Sequence, residues 1–177
     1  WWRYQRGEFA EAAGHFARGA ETLTRWNPNP REGEAFYGWG LTLLKLGRES
    51  EGYDALYKAT WNGAWQGAAF LEIARVDCRR GEWERARGHL EKVLAVNGEQ
   101  LQARDLMVVV LRKLGRGGEA SAMLKQTLAM DRLDWWGREL NGEELACDGQ
   151  VLLDMALEYG RAGLWEEGLR VLGRGRE

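Results

Sequence analysis

The sequence predicts an all-α protein, an α-solenoid of stacked antiparallel helix pairs, on three observations. Glycines recur at a spacing of 34 and again 34, at Gly47, Gly81 and Gly115. They sit in similar stretches, Leu46-Gly47-Arg48-Glu49, Arg80-Gly81-Glu82-Trp83 and Leu114-Gly115-Arg116-Gly117. Such a period is the length of one helix-turn-helix unit in a repeat array. Apolar and small residues keep helical spacing between the turns: Phe36, Trp39, Gly40, Leu43 and Leu44 fall on one face. Finally, the two prolines, Pro28 and Pro30, both lie in Trp26-Asn27-Pro28-Asn29-Pro30, and helix formers abound elsewhere.

The elements follow in order. Residues 1–32 hold the tail of a first helix, the turn Arg6-Gly7-Glu8-Phe9, a complete second helix and the Pro break. Gly7 precedes Gly47 by 40, and the break absorbs the excess over the period. Residues 33–66, 67–100 and 101–134 form three full repeats. Residues 135–148 form an insertion rich in aromatic and charged residues, and 149–177 a last helical pair around Ala162-Gly163-Leu164-Trp165. At each turn the glycine accepts the positive φ that closes one helix before the next begins. After Gly81, the residues Trp83, Ala86, Leu90, Val93 and Leu94 repeat the helical spacing. Small residues at Gly40 and Ala74 let paired helices approach closely. Neither helix of a pair hides its apolar stripe alone, so stacking buries it. Because residue 1 falls inside a leading helix, the natural chain is expected to continue upstream.

These units resemble tetratricopeptide (TPR) repeats, which implies a right-handed α-solenoid. Trp39-Gly40 and Ile73-Ala74 match the large-then-small pair of the family's first helix, and Met107-Val108 matches its first half. Phe9, Trp83 and Trp165 supply the aromatic after the turn, and Ala12, Ala86 and Ala120 the small residue beyond it. Three departures stand out: Asp77 takes a position usually bulky, Gly117 lacks the turn aromatic, and Gly52 and Gly168 replace alanine. More narrowly, Trp26-Asn27-Pro28-Asn29-Pro30, Lys58-Ala59-Thr60-Trp61-Asn62, Leu111-Arg112-Lys113-Leu114-Gly115-Arg116 and Leu133-Asp134-Trp135-Trp136 resemble one uncharacterised family of large bacterial proteins. Its members carry an N-terminal β-rich domain of unknown function before a TPR array. That resemblance implies that this chain is the array, and that any carbohydrate-related activity belongs mostly to the upstream domain.

Composition limits the function classes. The formal net charge is -2 over 177 residues, which lacks the basic footprint of a nucleic-acid binder. No apolar run reaches membrane-spanning length, so no membrane contact is expected, and a cytoplasmic location fits best. Cys78 and Cys147 lie 69 positions apart, neither a disulfide framework nor a zinc set, and read as reduced structural thiols. Sequence patterns for a serine nucleophile, a zinc protease or a phosphate loop do not occur. His15 and His89 each follow a turn glycine by eight residues, two units apart, and read as solvated helix residues unable to share a metal. Glu49, Glu51, Glu82 and Glu84 fall in first turns of helices, where they favour the dipole. No catalytic residue, cofactor or metal is therefore assigned.

The TPR resemblance instead implies a concave groove lined by first helices. In that register the groove-facing residues are Tyr37, Leu41, Lys45, Leu71, Arg75, Arg79, Asp105, Val109 and Arg112. Arg75, Arg79 and Arg112 make a basic stretch suited to a carboxylate or an acidic segment. The Lys and Asn with which chaperone-binding members clamp a terminal carboxylate are absent, so no such chaperone is expected to bind. Of ten tryptophans, Trp39, Trp83 and Trp165 take ordinary repeat core positions. Trp61 and Trp65 are expected to plug a junction between repeats, and Trp1 and Trp2 to pack on an upstream helix. Trp135 and Trp136, in the insertion, are the candidates for an exposed aromatic edge. The expected function is a protein-interaction scaffold that docks a peptide or this protein's own upstream domain. The alternative is an accessory region of a carbohydrate-active enzyme, and a homodimer through an exposed repeat end is a further expectation.

Overall fold

The computed structural model describes residues 1–28 and 32–174. Pro30 of the predicted break lies outside the described residues, whereas Trp26 and Pro28 follow the end of α2. Eleven helices and no strand occur among the described residues. They divide into two compact units, Trp1–Ile73 and Ala74–Glu177.

The first unit contains α1 (Trp2–Gln5), α2 (Phe9–Thr24), α3 (Glu34–Lys45), α4 (Glu49–Ala59) and the first part of α5 (Gly63–Arg79). Its core brings Ala20, Phe36, Ala59 and Ala69 together, with Ala35, Tyr37 and Trp39 packed against them. Close approach depends on missing side chains. A Cβ at Gly38 would lie 2.4 Å from the Phe16 ring, and one at Gly40 would lie 2.6 Å from Leu56 Cγ. A Cβ at Gly52 would meet the Gly40 carbonyl oxygen at 3.0 Å. Gly52, which departs from the repeat pattern, thus lets α4 approach the backbone of α3.

The second unit contains the last part of α5, then α6 (Trp83–Val96), α7 (Leu101–Lys113), α8 (Gly117–Met130), α9 (Trp135–Leu140), α10 (Gly149–Arg161) and α11 (Trp165–Gly173). The insertion therefore carries a short helix of its own. Leu90, Val93, Leu106, Val108, Val110 and Val171 form much of the core. Every residue from Ala103 to Leu111 is buried. A helix with one solvent face does not bury nine consecutive residues, so α7 is covered on all sides.

All five turn glycines adopt the expected left-handed conformation: Gly7, Gly47, Gly81, Gly115 and Gly163 have φ between 72° and 77°. The next residue's N–H reaches back five positions to close each turn, for example Arg48 to the Leu43 carbonyl at 2.9 Å and Glu82 to that of Asp77 at 2.9 Å. Gly142 ends α9 in the same way, with φ 77°. Open space surrounds the missing Cβ of Gly81. Gly81→Ala should therefore register backbone strain alone, about 1–2 kcal/mol in urea unfolding. Gly163→Ala should cost more, because a Cβ there would lie 2.8 Å from Arg79 Cγ.

Candidate functional site

The predicted groove residues divide into two settings. On α3, Tyr37, Leu41 and Lys45 form an i, i+4, i+8 stripe. Tyr37 and Leu41 are half-buried and Lys45 is exposed. Tyr37 is held by aromatic neighbours, with the Trp65 ring at 4.9 Å and the Trp1 ring at 6.3 Å. Leu71, on α5, is buried.

In the second unit the basic stretch is not one open surface. Arg75 is only 3% exposed and pairs with Glu158 of α10. Arg79 donates to the carbonyl of Arg161, at the end of α10. Asp105 and Val109 are buried, and Arg112 donates from Nη2 to the Leu140 carbonyl at 2.8 Å. Of the three arginines, Arg112 is the one whose side chain stands exposed. The physical reason is that α9 and α10 pack over this side of α5 and α7. Without a charged partner a buried guanidinium is costly, and Glu158 meets that need for Arg75.

His89 corrects an expectation. It is buried rather than solvated, with Nδ1 2.6 Å from Asp77 Oδ2 across the α5–α6 pair. His15, at the equivalent repeat position, is exposed. Asp77 at a normally bulky position was the sequence signal for this pair.

The tryptophans also depart from expectation. Trp165 is 65% exposed rather than core, its ring lying against Gly160. Trp61 is 60% exposed and plugs no junction, whereas Trp65 packs on Tyr37. Trp136 is buried, edge-on to Tyr159 at 5.2 Å. Neighbouring helix residues point about 100° apart, so Trp135 turns outward to half-burial when Trp136 turns in. The Arg138 guanidinium lies 4.3 Å from the Trp135 ring centre. Tyr159 donates its hydroxyl proton to Glu139 Oε2 at 2.6 Å; burial and then that carboxylate push its pKa well above the usual phenol range.

A carboxyl pair at the α7–α9 contact was invisible in the sequence. Burial, then the neighbouring Asp134 charge, pushes Asp105 up to about 9, and burial also raises Asp134, the residue just before α9. Cys78 is buried, and its thiol is pushed up to about 12, chiefly by burial, which leaves it a poor nucleophile at neutral pH. Among the described residues, no three His, Cys, Asp or Glu side chains are grouped to hold a metal ion, and no helix is long and apolar enough to cross a membrane.

A cavity of about 460 Å³ opens between α7, α9, α10 and α11. It is lined by Val109, Arg112, Lys113, Glu139, Leu140, Gly142, Tyr159, Glu167, Arg170 and Arg174. Lys113 pairs with Glu167 at 2.8 Å, and Arg174 approaches Glu139 at 3.5 Å.

No protein-family model matches the chain, and no curated protein matches it in sequence. Solved structures do match. A crystal structure of MamA is 16% identical with a TM-score of 0.64, over 98% of this chain and 90% of that one. A Podosopora anserina kinesin light chain with nearly identical TPR-like repeats is 18% identical with a TM-score of 0.58, over 98% and 88%. At these identities the likeness speaks to fold. With the 34-residue period, the helix pairs and the left-handed turn glycines, the fold is that of a TPR-like helical repeat.

Proposed function

We propose that the chain is a non-catalytic interaction scaffold, and that the α3 stripe of Tyr37, Leu41 and Lys45 receives an extended or helical polypeptide. One observation carries the reading: this stripe remains accessible, whereas Asp105 and Val109, its counterparts on α7, are buried. An aromatic and an aliphatic side chain beside an exposed ammonium offer a mixed surface typical of a peptide contact. The polypeptide is either a separate partner or this protein's own upstream domain, as the narrower family resemblance implies. Self-association through the Trp2 end is the remaining part of the proposal.

The test is a pull-down from cell lysate, read by mass spectrometry, with wild type and Leu41→Asp/Lys45→Glu side by side. Both substitutions fall outside the buried core, so circular dichroism should show unchanged helix content. A protein recovered by wild type and lost by the variant supports the reading. Equal recovery by both removes the α3 stripe from it.

Exposed indoles motivate a second reading, contact with glycan as an accessory region of a carbohydrate-active enzyme. Trp2, Trp26, Trp61 and Trp165 are each at least 60% exposed. However, guanidinium groups already lie over Trp2, from Arg6 at 4.5 Å, and over Trp26, from Arg25 at 5.2 Å. A sugar would have to displace them to stack there. Tryptophan fluorescence unchanged across an oligosaccharide panel is the expected result.

A further inference from the structure

We propose that the cavity between α7, α9, α10 and α11 is an oxyanion site that binds neighbouring carboxylates of an acidic peptide segment. The site is independent of the α3 stripe. Four cationic side chains line it, Arg112, Lys113, Arg170 and Arg174, against two acidic ones, Glu139 and Glu167. Both acids are already engaged. Glu167 accepts from Lys113 at 2.8 Å, and Glu139 accepts from the Tyr159 hydroxyl at 2.6 Å with Arg174 nearby at 3.5 Å.

Two guanidinium groups are left over. Arg112 is held by the Leu140 carbonyl at 2.8 Å, which fixes its plane and leaves its other N–H groups without a carboxylate among the described residues. Arg170, in the last turn of α11, makes no hydrogen bond or ion pair among the described residues. A guanidinium presents paired donors that match a carboxylate, so these two supply complementary sites for two of them. The excess of two positive charges in the lining suits a doubly charged ligand. Val109 and Leu140 add apolar wall beside the cations, which favours carboxylates carried on a peptide over a bare, strongly hydrated ion. The chain's overall charge of -2 disfavours a polyanion such as nucleic acid.

Calorimetry on the full chain tests the site, with a capped hexapeptide of alternating Glu and Leu and its Gln–Leu counterpart. The acidic peptide should bind with a dissociation constant on the order of 10–100 μM at low salt and weaken severalfold as salt rises. The Gln–Leu peptide should give no heat. Arg170 makes no hydrogen bond or ion pair among the described residues, so Arg170→Gln should keep the wild-type melting curve and weaken binding about tenfold. Arg112→Gln should weaken it similarly. The proposal is overturned if wild type gives no heat with the acidic peptide at millimolar concentration, if both variants bind like wild type, or if inorganic phosphate binds more tightly than the peptide.

Discussion

Replacing His89 by leucine should lower the unfolding free energy by about 1–3 kcal/mol, the range for a buried polar group that loses a hydrogen-bond partner. Asp77 is completely buried on α5, and the His89 ring stands 2.6 Å from its carboxylate on α6. Leu90 and Val93, both at 0% exposure, are near neighbours of His89 in sequence on α6 and belong to the core. A leucine at 89 takes up the volume but offers the Asp77 oxygen nothing to bond. The folded state then loses that buried hydrogen bond while still bearing the cost of burying the Asp77 carboxyl. Urea unfolding followed by circular dichroism at pH 7 reads the loss. Replacing both residues, Asp77→Leu/His89→Leu, should recover most of it, because well-packed apolar pairs commonly match or exceed a buried polar pair. A single variant that loses under about 1 kcal/mol would mean that the histidine adds nothing beyond its volume.

That pair also marks where the sequence is legible. The turns are readable because positive φ is a demand on one residue, and glycine meets it at 34-residue intervals whatever surrounds it. The departures from the repeat pattern are readable as departures, and two of them have local causes. Gly52 sits where its Cβ would meet the backbone of α3, and Asp77 sits where a histidine twelve residues on supplies a partner. What does not follow from the period is which face of a helix the chain covers again. Arg75 and Arg112 share a repeat face with Tyr37 and Lys45, yet the residue that pairs with Arg75 is Glu158, 83 positions away. No local spacing encodes that contact. The same blindness applies to Trp165 and Trp136. Trp165 occupies a core-like position but lies against a glycine and stays exposed, whereas Trp136 looks free in an insertion but is buried against Tyr159. A repeat register predicts neighbours within a unit. It does not foresee an insertion that folds into a helix and packs on α7.

Asp105→Asn should stabilise the protein at neutral pH, by roughly 2–4 kcal/mol, and flatten its stability profile between pH 5 and 8. Asp105 lies at 1% exposure on α7, with the Asp134 carboxyl close by and with Oδ1 bonded to nothing among the described residues. Burial first, and the Asp134 charge second, lift its pKa from the ordinary 3.8 to about 9, against a smaller opposing pull from Arg104. The folded state therefore keeps a proton that the unfolded chain releases near pH 4. A raised pKa favours folding fully below the unfolded value, and that contribution drains away as pH rises from about 4 towards 9. Wild type should accordingly be less stable at pH 8 than at pH 5. Asparagine mimics the protonated acid, with an N–H₂ donor where the carboxyl proton would be, and it has no proton to lose. Chemical unfolding of both proteins at pH 5, 6.5 and 8 separates them. The curves should converge towards acid, where wild type carries its proton in both states, and diverge towards pH 8. Parallel curves would show that Asp105 is ionised in the folded protein and that the α7–α9 contact tolerates two carboxylates side by side.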